Sequence, residues 1–296
     1  MKAIFYLMNR KGHHVLETLI HKDFHGQIAA VVGAQDGRIQ EDCFEAIRDR
    51  CRSSEIPWFS RTEFSGTEAD YAFAIGWRWM LPSTPRLIIL HDSLLPKYRG
   101  FAPLVSALIN GEQKLGVTAL FAASEYDRGD IIVQKSIAVE YPLTISHAID
   151  MISEIYSDIV IEIMNMLQRD IPLPRKAQEE ARATYSLWRD DSDYEIMWDW
   201  DAPRIERFVD AVGYPYGGAR TWLQSKAIRL VRVKALDDVF VENRTSGKVI
   251  FVWDHKPIIV CGRGLIRIDE AILEETGQSA LPFPSFRIRL KSSTLS

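Results

Sequence analysis

Leu87-Ile88-Ile89-Leu90-His91-Asp92-Ser93-Leu94-Leu95-Pro96-Lys97-Tyr98-Arg99-Gly100 is the stretch on which the fold of this chain turns. The apolar run at 87–90 is too short for a buried helix and suits a strand covered on both faces. It stops at a histidine and gives way to a loop punctuated by Pro96 and Gly100. His91 therefore stands at a strand's carboxyl end, where open α/β sheets bind their ligands.

Working outward, the same texture repeats. Residues 2–8, 28–32, 56–59 and 71–75 read as further short strands, and 12–21 and 42–52 carry helical periodicity. Two more strands are expected at 117–122 and 131–139, and a long helix at 146–167. The alternation predicts an α/β fold with a Rossmann-like, mostly parallel sheet and flanking helices. No G-x-G-x-x-G follows the first strand, which removes the main support for a nicotinamide enzyme.

Ile171-Pro172-Leu173-Pro174-Arg175 and the charged residues after it read as a linker. The expected organisation is a Rossmann-like domain at 1–170, a linker at 171–184 and a smaller, mainly β domain at 185–296. In the last, a helix at 201–211 would open on Asp201 with Pro203 in its first turn. Short β runs at 228–233, 248–252, 257–260 and 265–268 suggest an OB-like barrel. Trp188, Trp198 and Trp200 are expected to anchor this domain.

Composition bounds the function. The chain has 296 residues, 47% apolar and 26% charged, which fits a globular protein with a proper core. No apolar run nears the roughly 18 to 20 residues that cross a bilayer, and the first run is too short for a signal peptide. Three cysteines without a Cys-x-x-Cys pair speak against a disulfide scaffold or a structural zinc. A cytoplasmic protein with reduced thiols and no membrane partner is the expectation. The net charge of -4 argues against a nucleic-acid partner. The aromatic content leaves a homodimer open.

Asp127, in Tyr126-Asp127-Arg128-Gly129-Asp130, completes a candidate pair with His91. A carboxylate-oriented imidazole transfers protons near neutral pH. His13-His14 lacks further ligands at metal spacing, and Asp190, Asp191 and Asp193 lack the glycine and glutamate of a calcium loop, so no metal is expected. Trp77 and Trp79 alternate along the chain, which would point them in opposite directions.

The block at 91–100, then Leu108-Ile109-Asn110-Gly111-Glu112, Gly116-Val117-Thr118 and Asp127-Arg128-Gly129-Asp130, resembles the folate-dependent formyltransferases in order and spacing. That family includes methionyl-tRNA formyltransferase, glycinamide ribonucleotide formyltransferase and the sugar N-formyltransferases. Weaker similarity continues through 185–200 and 211–219, closest to the two-domain tRNA and sugar enzymes.

The resemblance implies an amine attacking the formyl carbon of 10-formyltetrahydrofolate, with a tetrahedral intermediate. His91 would handle protons and help hold the oxyanion, and Asp127 would orient the imidazole. The loop at 76–82 (Gly76, Trp77, Arg78, Trp79, Met80, Leu81 and Pro82) and that at 122–126 (Ala122, Ala123, Ser124, Glu125, Tyr126) would cradle the co-substrate. Ser93, Lys97, Tyr98, Arg99 and Gly100 would shape the acceptor side. One departure stands out: the family's Asn-x-His asparagine is Ile89 here. An isoleucine donates no hydrogen bond, so a backbone N–H, a water or another asparagine such as Asn9 would replace it, or catalysis would be impaired. The acceptor implied is a nucleotide-linked amino-deoxysugar of surface-glycan biosynthesis. The alternatives are methionyl-tRNA, water, or a folate-binding module without turnover.

Overall fold

The computed structural model describes residues 1–81 and 86–292; Pro82, expected in the first cradling loop, lies outside them. The chain divides into two compact units. One comprises residues 1–104, 113–139 and 147–187, the other 105–112, 140–146 and 188–296.

In the first unit, β1 (Ala3–Leu7), β2 (Ile28–Gly33), β3 (Trp58–Ser60), β4 (Tyr71–Ile75) and β5 (Leu87–His91) pair in parallel. β6 (Arg99–Gly100) is a short strand outside this sheet, while β7 (Lys114–Phe121) and β8 (Ile131–Ala138) extend it antiparallel. The order is β3-β2-β1-β4-β5-β7-β8. The antiparallel β7–β8 pair has a local cause: residues 122–130 are too few for the crossover a parallel pair requires. The sheet is thus mostly parallel, with an antiparallel edge beginning at β5.

α1 (Asn9–His21) starts three residues before the expected helix, although Met8 offers its N-terminus no side-chain cap. Val15, Leu16 and Leu19 recur at helical spacing and are fully buried. α2 (Phe44–Ser53) is opened by Asp42, whose carboxylate accepts from the Phe44 N–H at 3.0 Å. α3 (Pro103–Asn110) was not expected, and α4 (Ile145–Gln168) matches the long helix read from the sequence. Beneath β1 and β4, the Phe5 and Phe73 rings stack at 4.9 Å.

Residues 171–187 run along the first unit. Lys176 and Ile131 exchange backbone hydrogen bonds at 2.8 and 3.0 Å, and β9 (Tyr185–Ser186) pairs with β6.

The second unit holds α5 (Ala202–Val212), where the Asp201 carboxylate accepts from the Arg204 N–H at 2.8 Å and Pro203 sits in the first turn. Its sheet comprises β10 (Ala219–Leu223), β11 (Lys226–Leu236), β12 (Val249–Trp253), β13 (Lys256–Val260), β14 (Leu265–Leu273) and β15 (Leu290–Lys291). The strands are antiparallel in the order β12-β13-β14-β11-β10-β15. Trp198 is buried and donates to Thr221 Oγ1 at 3.0 Å, and Trp200 packs edge-on against Phe208. Trp188 does not anchor this unit as expected: it is 60% exposed. Among the described residues no helix is long and apolar enough to cross a membrane.

Candidate active site

His91 ends β5, next to the strand that reverses the sheet; its register partner on β7 is Thr118. The His91 side chain is buried. Nε2 lies 2.8 Å from the Tyr98 carbonyl, which can only accept, so Nε2 carries the hydrogen. Nδ1 lies 3.5 Å from Asp127 Oδ1. Asp127 is itself buried, and its Oδ2 accepts from the Gly100 N–H at 2.8 Å. The structure therefore brings together the two residues the sequence singled out. The tautomer is fixed from one side, and the basic nitrogen is turned to a carboxylate across a gap longer than a good hydrogen bond. Such a gap can tighten when a proton or ligand arrives.

The loop after β5 is held by its own polar groups. Ser93 is buried and its hydroxyl donates to the Lys97 carbonyl at 2.7 Å, so it shapes the loop rather than an open acceptor surface. Thr118 Oγ1 donates to the Ser93 carbonyl at 2.6 Å and accepts from the Leu95 N–H at 3.2 Å. Gln134 Nε2 donates to the Leu95 carbonyl at 3.0 Å and to Thr118 Oγ1 at 2.8 Å. Tyr98 takes a positive φ of 59°, its N–H held by Thr184 Oγ1 at 2.8 Å.

Arg99, expected to shape the acceptor side, is instead turned into the protein. Its side chain has no exposure, and its guanidinium is shared between Gln178 Oε1 and the Glu180 carboxylate at 2.7 to 3.1 Å. The hydrogen bonds from Arg99, against slight burial, hold the Glu180 carboxyl below the usual range. Lys97 is exposed and Gly100 half-buried.

Asp92, beside His91, forms an ion pair with Lys11 at 2.6 Å and a short hydrogen bond from the Tyr156 hydroxyl. Burial pushes the Asp92 carboxyl up, but the Lys11 charge and both hydrogen bonds outweigh it and leave it lowered. Burial, then the Asp92 charge, raises the Tyr156 phenol well above its ordinary value.

The expected cradling loops divide. Trp77, Leu81 and Ala122 pack with Ile89 on an apolar cluster of Ile4, Val32, Ala72, Ala74 and Leu87. Ile89 also packs against Leu95, Leu120 and Ile131. Trp77 and Trp79 do not point apart: their rings meet edge-on at 5.3 Å. Strand alternation ends at Gly76, whose φ is +64° and whose added Cβ would come 2.9 Å from the Met8 carbonyl oxygen. Arg78 is tied to Asp36, and Met80 is 81% exposed. Ala123, Ser124, Glu125 and Tyr126 are exposed, with Glu125 paired to Arg128 at 2.5 Å.

Two polar atoms near these elements are buried without a partner: the Trp77 Nε1 donor and Asn9 Oδ1. The partly buried Trp77, Leu81, Ile89 and Ala122 make an apolar surface of the kind that receives a flat heteroaromatic ligand. No cluster of metal-ligating side chains occurs among the described residues. Thr118 falls in the Gly116-Val117-Thr118 block read from the sequence, which gave it no role; Gln178 and Gln134 were not singled out. Nothing in their local pattern distinguishes them from ordinary polar residues.

Residues 62–163 match the formyl transferase family, and 190–285 match the formyl transferase C-terminal domain. Methionyl-tRNA formyltransferase of Halothermothrix orenii is 32% identical over 176 residues, 58% of this chain and 55% of its own length. The chain spans 55% to 64% of the length of the first curated relatives it matches, all methionyl-tRNA formyltransferases. Among solved structures, WlaRD, a sugar 3N-formyl transferase in the presence of dTDP and 5-N-formyl-THF, superposes with a TM-score of 0.68. The identity is 16%, over 90% of this chain and 97% of that one. An N-formyltransferase from Helicobacter canadensis, complexed with folinic acid and dTDP-3-aminofucose, gives 0.67 at 14% identity, over 90% of this chain and 98% of that one. At such identities the likeness to both structures is one of fold.

Proposed function

The chain belongs to the formyl transferase family, and on that premise we propose that it transfers a formyl group from 10-formyltetrahydrofolate to the amine of a nucleotide-linked amino-deoxysugar, in the cytoplasm. The observation that carries the reading is the His91 ring, held between the Tyr98 carbonyl and the Asp127 carboxylate at the carboxyl end of β5. In this reading His91 Nδ1 takes the proton lost by the attacking amine and gives it to the folate nitrogen as the formyl C–N bond breaks, releasing tetrahydrofolate. Asp127 stabilises the intervening imidazolium, which in turn favours negative charge developing on the formyl oxygen. Ile89, Trp77, Leu81 and Ala122 form the apolar wall for the folate ring.

A sugar acceptor is supported by the two structural relatives that carry dTDP or a dTDP-linked amino sugar and match over nearly their whole length. The net charge of -4 favours it too. The curated relatives supply the second reading, methionyl-tRNA. Mass spectrometry of the protein with 10-formyltetrahydrofolate and a panel of nucleotide-linked amino sugars tests the first. Initiator methionyl-tRNA serves as a separate acceptor. A formylated sugar is the expected result. Formylated tRNA, with binding that weakens steeply as salt rises, would replace it with the second reading.

A further inference from the structure

Asp127 sits at φ +58°, a left-handed conformation that a non-glycine residue keeps only when its surroundings hold it. Its carboxylate is held by the Gly100 N–H. Its backbone is held by a residue far along the chain: Gln178 Nε2 donates to the Asp127 carbonyl at 2.7 Å and to the Gly129 carbonyl at 2.9 Å. Gln178 is oriented in turn. Its Oε1 accepts from Arg99 Nε at 3.1 Å and from the Arg99 terminal nitrogen at 2.8 Å. An amide clamped at its oxygen by a guanidinium has one orientation, with both N–H groups aimed away from the cation. The ends of the network also meet, because Arg99 is followed by Gly100, the donor to Asp127 Oδ2.

We propose that Gln178, locked by Arg99, is the positioning residue for Asp127, fixing the turn that presents its carboxylate to His91. The inference rests on the functional reading above only for its kinetic arm. Gln178 touches neither the imidazole nor the Asp127 carboxylate, so it acts through the backbone of residues 127–129. Arg99 explains why a glutamine is needed at this place. A glutamate would keep the attraction to the guanidinium while turning acceptors, in place of donors, toward two carbonyl oxygens.

That asymmetry supplies the test. Gln178→Glu and Gln178→Ala are compared with the wild type for melting temperature, kcat, KM for the amine acceptor, and hydrogen exchange of the Gly100 amide. The melting temperature of Gln178→Glu should stay near that of the wild type, with kcat falling roughly 10- to 100-fold, KM changing little, and Gly100 exchanging faster. In an Asp127→Asn background, adding Gln178→Glu should lower kcat no further, because the group it positions is already gone. Gly100 exchange at the wild-type rate in Gln178→Glu overturns the inference, whether or not the wild type transfers formyl. A kcat loss that multiplies with that of Asp127→Asn overturns it too. A wild type that formylates no amine overturns the functional reading alone, and Gly100 exchange then still decides the role of Gln178.

Discussion

His91 is fixed by partners from two directions, the loop it opens and the turn around Asp127. The Tyr98 carbonyl can only accept, so the ring proton lies on Nε2 and the lone pair faces Asp127. Asp127→Asn keeps the shape and the acceptor for the Gly100 N–H but removes the charge opposite Nδ1. Turnover should fall at least about 100-fold while the melting temperature holds, as steady-state kinetics beside a thermal melt would show. Asp92 gives a pH effect of known sign. Its folded carboxyl is lowered below 3.8, so the Lys11–Asp92–Tyr156 contacts stabilise the fold above about pH 4, and that stability is lost as pH falls through the folded value. Acid unfolding of Asp92→Asn, followed by circular dichroism, should show a flatter limb below pH 4 than the wild type. At this scale the sequence told half the story. His91 and Asp127 were legible because one closes an apolar run and the other precedes a Gly-containing turn. The burial of Arg99 was not, because its partners lie about 80 positions away at 178 and 180. Trp77 and Trp79 defeated the alternation rule because the chain leaves strand geometry at Gly76.

The strands and most helices follow from hydrophobic period, and the exceptions have local reasons. α3 escaped notice because Leu104, Val105, Ala107, Leu108 and Ile109 are all buried, so the polar face that marks a surface helix is missing. The antiparallel direction of β7 was hidden because a fully buried strand reads the same either way along the chain. That direction places Thr118 and Gln134 under the loop that follows β5. Gln134→Leu should remove two hydrogen bonds and leave the Leu95 carbonyl without this donor, costing about 1 to 3 kcal/mol in urea unfolding. A loss under about 0.5 kcal/mol would mean the loop is held by its apolar side chains alone. Gly129 is another constraint at this scale, since a Cβ there would fall on the Phe121 carbonyl oxygen.

Over the whole chain the charge is close to balanced, but in the second unit the Asp210 carboxyl is held against its charged form. Burial, then the nearby Glu206 charge, pushes the Asp210 carboxyl up to about 6, with Lys234 opposing. A raised value means the protonated form favours the fold. That contribution is full below about pH 4 and is lost as pH rises through about 6. Asp210→Asn should therefore stabilise the protein at pH 7.5 by roughly 1 to 2 kcal/mol, after discount for partial exposure, and change little below pH 4. Melting curves at the two pH values check this. An equal shift at both would assign the effect to packing instead. The division of the chain also bears on how the protein is made. A ribosome that has released residues 1–170 has already delivered every strand of the first sheet, together with His91 and Asp127. Gln178, Thr184 and Ser186, which tie down the segments bearing those two groups, are still inside the exit tunnel. The newborn chain thus owns its chemistry before it can aim it, and the first unit is completed only when residues 171–187 emerge to tie it down.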